Sequence, residues 1–208
     1  LFALSTVYAV AQSADTVKRF WPTGVRVGAD VVPLVQGLTN KNFNGWELSA
    51  DVDVYRYYLT VDVGHSALTE VSETETYENS GDYLRVGVDV NFLKKDPEKN
   101  MLFFGARYAV GNFSESLRGI IDDPLYGSVT QTFTNPDARA RWFEITTGIR
   151  VYIWKFFWMG YTIRYKAGLK TYDTGNLVPH DIPGYGGTAK STTWGFSYVL
   201  LFRIPLPD

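Results

Sequence analysis

The stretch DYLRVGVDVNF, residues 82–92, decides the fold. Leu84, Val86, Val88, Val90 and Phe92 lie on one side of an extended chain, and Arg85, Gly87, Asp89 and Asn91 lie on the other. Alternation with period two marks a strand whose two faces meet different surroundings. Residues 46–54 repeat the pattern, with Trp46, Leu48, Ala50, Val52 and Val54 opposite Glu47, Ser49, Asp51 and Asp53. A third copy runs over 141–154, where Phe143, Ile145, Ile149, Val151 and Ile153 oppose Glu144, Gly148, Arg150 and Tyr152. Five further segments, near 24–37, 57–68, 101–113, 156–170 and 191–205, bring the expectation to eight strands. Each is long enough to cross a bilayer at the tilt of a barrel strand.

Composition narrows the alternatives. At 208 residues the chain suits one domain with one core. The absence of cysteine removes disulfides, thiolate metal sites and a thiol nucleophile. A net charge of −2 lacks the basic footprint of a nucleic-acid binder. Aromatic residues, at 16%, are abundant, and no apolar run approaches the length of a membrane-spanning helix.

The opening residues LFALSTVYAVAQ read as the end of a secretion signal, with small residues Ala9 and Ala11 before the expected cleavage. The expected organisation is therefore a signal remnant at 1–11, a periplasmic segment at 12–23 and an outer-membrane β-barrel at 24–208.

Connection lengths alternate. Long stretches near 39–44, 69–81, 114–140 and 171–190 follow the odd strands, while short turns at Arg56, 94–100 and Lys155 follow the even ones. Long loops at one end and short turns at the other match the outer and periplasmic sides of an outer-membrane barrel. The expected aromatic girdles are Trp46, Trp142 and Trp194 at the long-loop end and Trp21, Trp154 and Trp158 at the other. A soluble eight-stranded barrel would turn its aliphatic face inward instead.

With the aliphatic faces outward, the interior receives seven acids, Asp30, Glu47, Asp51, Asp53, Asp62, Asp89 and Glu144. It also receives seven bases, Arg26, Arg85, Arg107, Arg150, Arg164, Lys166 and Arg203. Buried charges persist only when paired and hydrogen-bonded, and arginine's planar fork suits carboxylates. Eight strands enclose just enough space for side chains to fill, so a barrel plugged by its own charges is expected.

Evidence for catalysis is thin. His65 and Ser66 are adjacent on a strand and so point to opposite faces, which keeps a base from its nucleophile. The acidic residues Glu70, Glu73, Glu75, Glu78 and Asp82 have no metal-ligand spacing. No catalytic residue, metal or cofactor is expected. The long stretch 114–140 stands out because Leu117, Ile120, Ile121, Leu125, Tyr126 and Phe133 are too many large apolar groups for a loop waving in solvent. The stretch 171–190 adds Leu177, Val178, Pro179, Ile182, Pro183 and Tyr185. Two readings stay open: the two stretches pack against each other as a cap over the barrel, or they form a surface that docks a partner.

The runs YLRVGVDVNFL at 83–93 and MLFFGARYAVG at 101–111 resemble a family of small outer-membrane barrels of Bacteroidetes. The resemblance implies the barrel and the outer membrane, and also an accessory place beside the machinery that assembles outer-membrane proteins. The C-terminal Ile-Pro-Leu-Pro-Asp departs from the terminal aromatic residue of many bacterial barrels. The expected function is a non-enzymatic structural subunit of a larger outer-membrane complex. It would sit among outer-membrane lipid and lipopolysaccharide and bind other outer-membrane proteins or surface lipoproteins. The alternatives are a stand-alone surface barrel of OmpA/OmpX type and a lipid A-modifying enzyme.

Overall fold

The computed structural model describes residues 21–93, 100–123 and 127–206, with 121–123 described by backbone alone. Its strands are β1 (Pro22–Asp30), β2 (Phe43–Val54), β3 (Tyr57–Val71), β4 (Glu75–Asn91), β5 (Met101–Asp123), β6 (Gly127–Trp154), β7 (Phe157–Tyr172) and β10 (Thr192–Pro205). A two-stranded ribbon, β8 (Asp181–Ile182) with β9 (Gly186–Gly187), sits in the β7–β10 connection. The eight long strands form an antiparallel ring in the order β1-β10-β7-β6-β5-β4-β3-β2, closed by β1 against β10 from Gly24↔Pro205 to Asp30↔Val199. Among the described residues no helix is long and apolar enough to cross a membrane.

Alternation becomes an inverted polarity. Leu84, Val86 and Val88 are exposed, whereas Arg85 and Asp89 on the same strand are buried in the ring. The same holds on β2, where Leu48 is exposed and Glu47 and Asp51 are buried. At the short end, β2–β3 and β6–β7 turn through two residues each, with Tyr55 (φ 61) and Lys155 (φ 49) in the left-handed region.

Four expectations are corrected. The first strand does not run over 24–37: it begins at Pro22 and ends at Asp30, and Val31–Thr39 is helix α1. Asp30 caps that helix by accepting from Val32 N at 3.0 Å. Pro33, which cannot donate to a ladder, sits in the first turn, where its missing N–H costs nothing. The valines suggested a strand, but the Asp and Pro mark a helix start.

The expected loops 69–81 and 114–140 are mostly ladder. Val71 pairs with Thr76 on β3–β4, and Ile121 pairs with Val129 on β5–β6. Within 127–134, Thr130, Thr132 and Thr134, with Val129 and Phe133, favour extended chain. Pro136 is accommodated where the register shifts between Phe113 and Glu115, the kind of irregularity that tolerates proline.

Trp142 and Trp158 are not girdle residues: they are 0% and 3% exposed, inside the ring. Each shares the phase of an inward charge, Glu144 and Arg164 respectively, so alternation overrides their aromatic character. Trp21, Trp46, Trp154 and Trp194 do face outward. The signal-like residues 1–11, and most of the segment 12–23, lie outside the described residues.

Candidate functional site

The ring interior is the candidate site. Six arginines and six carboxylates from all eight ring strands meet there. Near the short end Arg203 lies 3.0 Å from Asp53, whose carboxylate also accepts from Thr23 N and Gly24 N. Above it Arg26 reaches Asp51 at 2.7 Å, and Arg150 bridges Asp51 to Asp89. Arg107 grips both oxygens of Asp89, at 2.7 and 2.9 Å, and lies 3.5 Å from Asp62. Higher still, Arg85 lies 2.6 Å from Glu47 and 2.9 Å from Glu144. Arg164 approaches Glu47 at 3.1 Å and Asp62 at 3.4 Å, and donates to Ser197. Tyr83, Ser49 and Trp142 donate further bonds, to Glu47, Asp62 and Glu144. Charge-assisted bonds shared this way offset the cost of desolvating the ions. Glycine makes room: a Cβ on Gly105 would stand 2.0 Å from an Asp89 oxygen.

Two of the fourteen expected residues are buried without an opposite charge in contact among the described residues. Asp30 spends its carboxylate on two backbone donors, Val32 N and Tyr198 N, each at 3.0 Å. Lys166 donates to the carbonyls of Gly184 (2.8 Å) and Tyr185 (3.0 Å) and has no carboxylate within salt-bridge distance among the described residues. Sequence reasoning missed Glu115, which is buried on β5 and accepts from Tyr77 Oη (2.8 Å) and Asn135 Nδ2 (2.6 Å). Carrying the alternation of 101–113 two residues further would have found it.

The connection 173–191 closes the tall end of the ring. Ile182 and Tyr185 are buried against Tyr83, Ala109, Phe113, Ala138, Ala140 and Trp142, with Tyr185 edge-on to Trp142 at 5.7 Å. Arg85 and Lys166 bind the carbonyl of Gly184 from below. Asn135 holds the segment from the side, donating to Leu177 O (2.8 Å) and accepting from Gly175 N (2.7 Å). Asn79 donates to Asp181 O at 2.8 Å. Burial pushes the Asp181 carboxyl above its ordinary value under this cap. Of the two stretches expected to cap the barrel, the β7–β10 connection supplies the cap, and 114–140 is mostly ladder whose Asn135 holds that cap.

Gly184 is the weak point of the cap, because its φ is +78° and a Cβ there would lie 2.5 Å from the Tyr83 ring. Gly184→Val combines backbone strain of about 1–3 kcal/mol with that clash. Limited proteolysis of the variant should cut within 173–191 while leaving the ring intact. Unchanged resistance would show that the segment is held without the Gly184 turn.

The apolar residues singled out for docking divide. Leu117 and Phe133 are register partners and half-buried, and Ile120 is exposed. Ile121 has strand backbone, and Leu125 and Tyr126 lie outside the described residues. The β5–β6 hairpin outgrows its neighbours: β4 stops pairing with β5 at Gly119, and β7 stops pairing with β6 at Arg139. Residues 127–134 of β6 thus have β5 on one side and no strand on the other among the described residues. His65 is paired with Asp82 at 2.8 Å on the outer face, and no hydrogen bond joins it to Ser66.

The fold is similar to the crystal structure of Neisserial surface protein A (NspA) at 12% identity, covering 89% of this chain and 96% of that one, with a TM-score of 0.40. No curated protein matches the sequence. Over residues 1–208 the chain matches the model of the domain of unknown function DUF6048, and it belongs to that family.

Proposed function

We propose that the protein is an integral outer-membrane β-barrel of a Gram-negative bacterium that performs no catalysis and holds partner proteins of a larger outer-membrane complex through its β5–β6 hairpin. Membrane placement is supported by the inverted polarity: an apolar outer face around an ion-paired interior suits lipid as surroundings and not water. Trp46 and Trp194 near the tall end, and Trp154 and Phe156 near the short end, are exposed at heights that suit the two lipid–water boundaries. The single observation that carries the docking role is the free edge of β6 over 127–134. An unpaired strand edge offers backbone donors and acceptors in a row, the template for strand addition by another chain. That edge carries Val129, Thr130, Gln131, Thr132 and Phe133 with no charge to repel a partner. Association with the machinery that assembles outer-membrane proteins is the specific form of this reading that the Bacteroidetes resemblance adds.

The test is purification of the tagged native protein in mild detergent. Other envelope proteins in stoichiometric amounts are expected; a lone barrel would favour a stand-alone surface role. The interior also sets an expected result in planar bilayers. Six ion-paired arginines and the 173–191 cap leave no through-going pore, so the pure protein should show no stable large conductance. Steady open channels would overturn the plugged interior.

A further inference from the structure

The ring wall has one seam that is incomplete. β1 stops at Asp30, opposite Val199 of β10 and one residue beyond the Ala29↔Leu48 pair with β2. Above that level Phe43–Glu47 of β2 pair only with β3, and Thr192–Tyr198 of β10 pair only with β7. One strand is therefore missing between β2 and β10, leaving a gap of about two interstrand spacings, roughly 9.6 Å. Helix α1, whose width of about 10–12 Å suits that gap, packs against both β2 and β10. Its hold is light, since none of its residues is buried. The other seams of the ring are fastened by ladder bonds, whereas this one is closed by a helix tied at Asp30.

Behind the helix lies a cavity of about 570 Å³. Its helix side is lined by Val32, Pro33 and Gln36, and its floor by Glu47, Arg85, Arg164 and Lys166 of the charged interior. Glu47 is matched by Arg85 and Arg164, so these three charges are committed to one another. Asp30 and Asp181 also line the cavity. Asp30 accepts two backbone N–H bonds at one oxygen, and Asp181 accepts from Asn79 Nδ2 at 3.3 Å. Lys166 is different. Its buried ammonium meets two carbonyl oxygens, leaving a third N–H and its charge for another acceptor. Gly195 leaves space for it, because a Cβ there would lie 2.8 Å from Lys166 Cε.

The outer rim of the gap has opposite character. Leu34, Val35 and Leu38 of the helix are exposed, Leu38 at 86%, and Trp194 and Phe196 of β10 are exposed beside them. The path from rim to floor thus runs from apolar surface to an unmatched buried cation.

We propose that the cavity behind α1 binds an anionic membrane amphiphile, whose phosphate or carboxylate head meets Lys166 and whose acyl chain leaves through the gap between β2 and β10. The inference rests on the membrane placement proposed above. Charge complementarity selects the head, since Lys166 is the lysine or arginine of the lining that meets no carboxylate among the described residues, and the apolar rim selects a ligand with a tail over a free anion. α1 is the element that moves aside for entry, because it is the only closure of that seam without ladder bonds.

The full chain, reconstituted in phosphatidylcholine vesicles, tests this with lipids brominated on the acyl chain, which quench nearby indoles. Brominated phosphatidylglycerol should quench Trp194 at about one-tenth the mole fraction that brominated phosphatidylcholine requires, the order of one charge-assisted hydrogen bond. A Trp194→Phe chain identifies the signal. Lys166→Gln should abolish the preference, and Lys170→Gln, at an exposed lysine on the same strand, should keep it. If Lys166→Gln does not fold, Thr193→Phe decides, since it fills the cavity while keeping the charge. Equal quenching by the two lipids in an inserted native chain overturns this inference alone. So does loss of the preference in millimolar inorganic phosphate without any need for a tail, which would make the ligand a free anion. A chain that fails to insert overturns the membrane placement and this inference with it.

Discussion

Replacing Arg85 by alanine should lower the stability of the barrel by about 3–5 kcal/mol, the usual cost of leaving a buried charge without its partner. The guanidinium lies between Glu47 (2.6 Å) and Glu144 (2.9 Å) and also donates to Gly184 O (2.9 Å). Without it Arg164 alone must serve both carboxylates, and it stands 3.1 Å from one and 3.6 Å from the other. One negative charge is then uncompensated in a place with little water. Urea unfolding in micelles, followed by indole fluorescence, measures the loss. The double change Arg85→Met with Glu144→Gln should recover part of it, because the orphaned charge is removed along with its partner. A loss below about 1 kcal/mol, typical of solvated pairs, would mean that water already reaches this level of the ring.

Trimming the β5–β6 hairpin should abolish partner binding while leaving the barrel able to insert. Leu117 and Phe133 are register partners, so an Asn-Gly turn can join them in place of residues 118–132 without disturbing the ladder below. The bonds of Asn135 to Glu115 and to the cap lie beneath the cut and persist. Because the free edge of β6 is removed, co-purifying proteins should fall by at least about tenfold, equivalent to losing roughly 1.4 kcal/mol of docking. Retention of every partner at full stoichiometry would show that docking does not use this edge. Failure to insert would show that the hairpin belongs to the fold of the ring.

Much of the candidate site was legible because phase along a strand is a local property. Once Leu84 and Val86 face outward, Arg85 must face inward, and the same step places Asp51, Asp89, Arg107, Glu144 and Arg164. Phase alone would also have placed Trp142 and Trp158 correctly, had it been preferred to the habit of indoles at interfaces. The limits of elements were harder to read. The end of β1 depends on the Asp30 cap and on Pro33, against a run of valines that favours a strand. The extent of β5 and β6 depends on cross-strand pairing past the point where lipid contact would end.

The sequence by itself determined the number of ring strands and which of their charges share a face. Both follow from the two-residue repeat of an extended chain, while turning that face inward took the loop lengths and aromatic positions as well. The tertiary structure alone decided which acid meets which arginine, that 173–191 and not 114–140 closes the ring, and that Lys166 meets carbonyls and no carboxylate. Arg150 reaches Asp51 across 99 residues of chain and Arg164 reaches Glu47 across 117. Such contacts depend on how strands are staggered around the ring, and stagger is set by pairing between distant segments, which no repeat along one segment encodes.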